Sequence, residues 1–80
     1  MNVERMQLKG MLAEAKKQFR TLDTETSGLI ILIRSLLNPY EEVINLDMSK
    51  ITVLTERLNR TIEEMKILKE KIGKLEDELD

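Results

Sequence analysis

The fold class expected from the sequence is all-α, an antiparallel two-helix coiled-coil hairpin, and three observations predict it. Two long stretches carry apolar residues at alternating steps of three and four, the spacing of a helical seam. The only proline, Pro39, falls between them. The hydrophobic residues, 41% of the 80, are mostly Leu, Ile and Met, with one Phe, one Tyr and no Trp, which is too little aromatic bulk for a sandwich or barrel core. A chain this short makes one domain.

The first helix is expected over residues 2–37. Its seam runs Leu8, Leu12, Ala15, Phe19, Leu22, Thr26, Leu29, Ile33, Leu36, with one polar member. Its weak point is Asp23-Thr24-Glu25-Thr26-Ser27-Gly28, a run of poor helix formers that costs on the order of 2 kcal/mol relative to alanine. The seam keeps its phase across this run, which favours one long helix with a soft middle over two short ones.

Residues 38–46 form the expected connection. Pro39 lacks the N–H that would continue the first helix, and Asn38 is placed to cap a short turn. Asp47 is the stronger cap and opens the second helix, with Leu46 and Ile51 spaced as a hydrophobic staple. That helix, residues 47–79, carries Ile51, Leu54, Leu58, Thr61, Met65, Leu68, Ile72, Leu75 and Leu79 on its seam.

Folding one helix back on the other pairs Leu36 with Ile51, Leu29 with Leu58 and Leu8 with Leu79, and sets Thr26 opposite Thr61. A shift of one heptad would bury each threonine against an aliphatic partner. The matched register lets the hydroxyls bond each other or their own i−4 carbonyls. A parallel dimer of the second helix is the competing architecture, since it sets Glu64 against Lys69 and Lys71 against Glu76. Pro39 and the matched threonines favour the hairpin.

Two helices leave apolar residues over. Leu29-Ile30-Ile31-Leu32-Ile33 is apolar all round, and Val53, Ile62 and Ile67 fall off the second seam. The expected self-association interface is Leu29, Ile30, Ile31, Leu32, Leu36 and Leu37, closing two hairpins into a four-helix bundle. The partners expected are therefore a second copy and another protein.

Chemistry is sparse. The absence of Cys and His removes disulfides, thiolate and imidazole metal sites, and the commonest base and nucleophile, so no enzyme, cofactor or metal is expected. The acidic end, Glu76, Asp77, Glu78 and Asp80, has no glycine-bearing loop at calcium-ligand spacing and reads as solvated. Gly10, Gly28 and Gly73 follow no strand and make no phosphate-loop pattern. The first 37 residues carry a net +2 and residues 38–80 a net −4. Lys16, Lys17 and Arg20 give the alternative reading, a nucleic-acid contact, disfavoured by the acidic balance and the lack of an aromatic platform. The most apolar stretch, Leu29 to Leu37, is far short of the roughly 20 residues a membrane span needs. The charged start Met1-Asn2-Val3-Glu4-Arg5 has no secretory pattern, which points to the cytoplasm.

The succession of a basic amphipathic helix, Leu36-Leu37-Asn38-Pro39-Tyr40, an acidic connection to Leu46-Asp47 and a heptad helix with a charged end resembles small accessory proteins of Mu-like prophages. Such proteins mostly have no assigned activity, so the resemblance implies a small helical accessory role and carries over no functional residue.

Overall fold

The computed structural model describes residues 3 to 80 as two helices packed side by side. Helix α1 spans Val3–Leu36, a 3₁₀ turn spans Val43–Asn45, and helix α2 spans Met48–Leu79. No strand occurs among the described residues. The molecule is a rod of 65 × 15 × 14 Å with a radius of gyration of 18.3 Å, against about 12 Å for a globular chain of this length.

Helix α1 passes through Asp23–Gly28 without a break. Its local conflict is resolved inside the helix, where the Thr21 and Thr24 hydroxyls each donate to the carbonyl four residues earlier, Lys17 and Arg20, at 3.1 Å. The helix ends at Leu36, one residue short of the expected boundary. Asn38 precedes proline and is pushed out of the helical region, so the chain turns after Leu37 donates to the Ile33 carbonyl. The expected first residue of the helix, Asn2, lies outside the described residues.

The connection is built from local turns. Asn38 caps as expected, its Oδ1 accepting from the Tyr40 N–H at 3.0 Å and its carbonyl from the Glu41 N–H at 3.2 Å. The 3₁₀ turn after it has no counterpart in the seam pattern, because it rests on short-range bonds such as Asn45 N–H to the Glu42 carbonyl. Asp47 caps α2, with its carboxylate accepting from the Lys50 N–H at 3.1 Å. Leu46 is half-buried while Leu37 through Asn45 are exposed, and Ile51 retains 3% exposure, the burial a staple requires.

All eighteen expected seam positions are buried or half-buried. The tightest are Ala15 at 1% and Ile51 at 3%, with Leu29, Ile33 and Leu75 also buried. Ile62, expected off the seam, is half-buried beside it. The two seam threonines are both buried at 8% and both satisfied, though not by each other. Thr61 donates to its own Arg57 carbonyl at 2.9 Å. Thr26 instead donates across the pair to the Met65 sulfur at 3.5 Å, one seam step beyond Thr61 and a weak acceptor. Ion pairing contributes little, since the one pair among the described residues, Lys66–Glu63, is exposed at both ends.

Gly10, Gly28 and Gly73 all sit inside helices with open space where a Cβ would go. Gly28→Ala and Gly73→Ala should therefore each stabilise the protein by about 1 kcal/mol, measured by urea unfolding, because helical backbone entropy is saved without a clash. Asp47→Ala should cost about 1 kcal/mol in the same measurement through loss of the cap.

Candidate interaction surface

The seam uses only one stripe of each helix, and what lies beside it decides what the rod can bind. Heptad position divides the remainder into two flanks and a back. One flank is marked by a shallow depression of about 430 Å³ between Phe19 of α1 and Lys69, Ile72, Gly73 and Glu76 of α2. The other is marked by an open groove of about 530 Å³ in which Leu22, Ile67 and Leu68 are rimmed by Glu14, Lys17, Gln18, Thr21 and Glu64.

The expected interface residues separate into two groups. Leu29 is buried and Leu36 half-buried, both consumed by the intramolecular seam. Ile30, Ile31, Leu32 and Leu37 are free, at 41%, 68%, 40% and 44% exposure. On α2, Met48, Val53 and Ile67 are likewise exposed. The structure adds three apolar side chains that seam counting passes over, Tyr40, Val43 and Ile44, which project from the connection at 96%, 79% and 84%. Their signal is present in the sequence as apolar residues inside a turn-rich stretch with no helical seam to join. Most of the exposed apolar residues thus lie in the closed half of the hairpin, with Val3, Met6 and Met11 exposed near the open end.

Lys16, Lys17 and Arg20 are all exposed on α1. Lys17 shares the groove rim with Glu14 and Glu64. In the larger hollow Thr21 lies on the rim with Glu14, Lys17 and Glu64, its hydroxyl donated to the Lys17 carbonyl, and among the described residues no three acidic side chains cluster so as to hold a metal ion. No described helix is long and apolar enough to cross a membrane.

No family model, curated protein or solved structure matches this chain. The surface itself therefore carries the functional reading.

Proposed function

We propose that this chain is a cytoplasmic, non-enzymatic interaction module that self-associates through the closed half of the hairpin and presents the resulting helical surface to another protein. The observation that carries this reading is excess surface. The hairpin exposes 6424 Å², whereas a globular chain of 9.3 kDa exposes about 5,000 Å². The surplus exceeds the roughly 800 Å² that one partner contributes to a standard interface. It coincides with a concentration of exposed aliphatics rather than with scattered ones, as a surface made for association requires. Pairing two hairpins supplies the further layer of helices that a two-helix layer lacks.

Sedimentation equilibrium should give a mass above 9.3 kDa that persists on dilution. The triple variant Ile30→Lys, Ile31→Lys, Leu32→Lys should sediment as a monomer while keeping the helical circular dichroism of the parent, since all three side chains lie outside the seam. A parent that is monomeric at every concentration would sink the proposal.

A further inference from the structure

Resting on that self-association, we infer that the second copy binds antiparallel and offset, closed half against closed half, on the flank that carries Ile30 and Leu37. Counting heptads outward from the connection, that flank has five levels. They are Leu37 with Met48, Ile30 with Thr55, Asp23 with Ile62, Lys16 with Lys69, and Lys9 with Glu76. The depression between Phe19 and Lys69 lies on the same side of the rod as these α2 positions. In the first three levels five of the six side chains carry no charge. The sole hydroxyl there, Thr55, is already engaged with the Ile51 and Thr52 carbonyls at 3.0 Å, so covering it strands no hydroxyl, and Asp23 is the single charge on these levels. Over the same length the opposite flank offers Leu32 among Glu25, Lys50, Arg57 and Glu64, and covering it would bury charge.

The two outer levels set the orientation. A parallel copy would set Lys16 and Lys69 against the same two residues of its partner, four ammonium groups with no carboxylate at that level. A flush antiparallel copy would lay Ile30 and Leu37 against the charged open half. Centring a twofold axis on the Ile30 level avoids both. Met48 then meets Ile62, Leu37 meets Asp23, Ile30 meets its own copy, and Glu41 and Glu42 of the projecting connection reach the level of Lys16 and Lys69. Tyr40, Val43 and Ile44, fully outward in the single hairpin, arrive beside the depression that Phe19, Ile72 and Gly73 line.

The chain has no cysteine, so single spin labels can be placed without a background. Labels at Tyr40→Cys and, separately, Glu76→Cys should report inter-copy distances of about 30 Å and about 60 Å, taking 1.5 Å per residue along the rod. A parallel pair would bring both below about 20 Å, and a flush antiparallel pair would give about 50 Å and about 40 Å, at the same rise per residue. Either result overturns the arrangement. A sample that sediments as a dimer but shows neither distance also overturns it. Absent dipolar coupling together with a monomeric mass for the unlabelled chain instead overturns the self-association on which the arrangement rests.

Discussion

One apolar seam holds this molecule together, and every other feature is subordinate to it. A helix of 34 residues and one of 32 share a single line of contact, so each side chain on that line is covered from one side only. That is why even the best-enclosed large residue, Ile51, keeps a trace of exposure, and why most seam leucines are half-buried rather than buried. Packing density comparable to a globular interior needs neighbours on several sides. A two-helix rod supplies them only at small residues such as Ala15, where the backbones can approach closely.

The seam was legible because it is periodic, and its authority over local preference explains where the reading succeeded against propensity. Asp23 through Gly28 would favour turns in isolation, yet Leu22, Thr26 and Leu29 keep the helical phase and the helix runs through. Propensity differences of a few tenths of a kcal/mol per residue lose to the burial of a leucine, worth about 2 kcal/mol. The threonine pair shows the limit of the same reasoning. Heptad counting placed both hydroxyls in the core, but the choice of acceptor depends on rotamers within a shared layer, so Thr26 found Met65 while Thr61 turned back to its own helix.

The candidate surface was legible in outline only. Seam counting put Leu29 and Leu36 on the seam and Ile30 to Leu32 off it, and the structure divides them the same way, which leaves Leu29 and Leu36 little surface to offer a second copy. Tyr40, Val43 and Ile44 escaped that counting because the connection obeys turn chemistry, with Asn38, Glu41 and Asn45 bonding their neighbours, and such bonds leave no repeating pattern to read.

The distribution of polarity along the rod gives these pieces a common cause. On the flank that carries Ile30 and Leu37, positions beside the seam are mostly apolar near the connection and charged toward the open end, where Lys9, Lys16, Lys69 and Glu76 take the places that Ile30, Leu37, Met48 and Ile62 hold at the other. A stripe widened from two to three apolar positions per heptad is what a helix needs to face two neighbours instead of one. In the proposed pairing the closed half would enter a bundle and the open half would stay a solvated pair. Covering the closed half would therefore favour the folded hairpin over the unfolded chain by mass action, so the two helices and their association are stabilised together. The open half, outside the proposed contact, would keep its charged flanks in water.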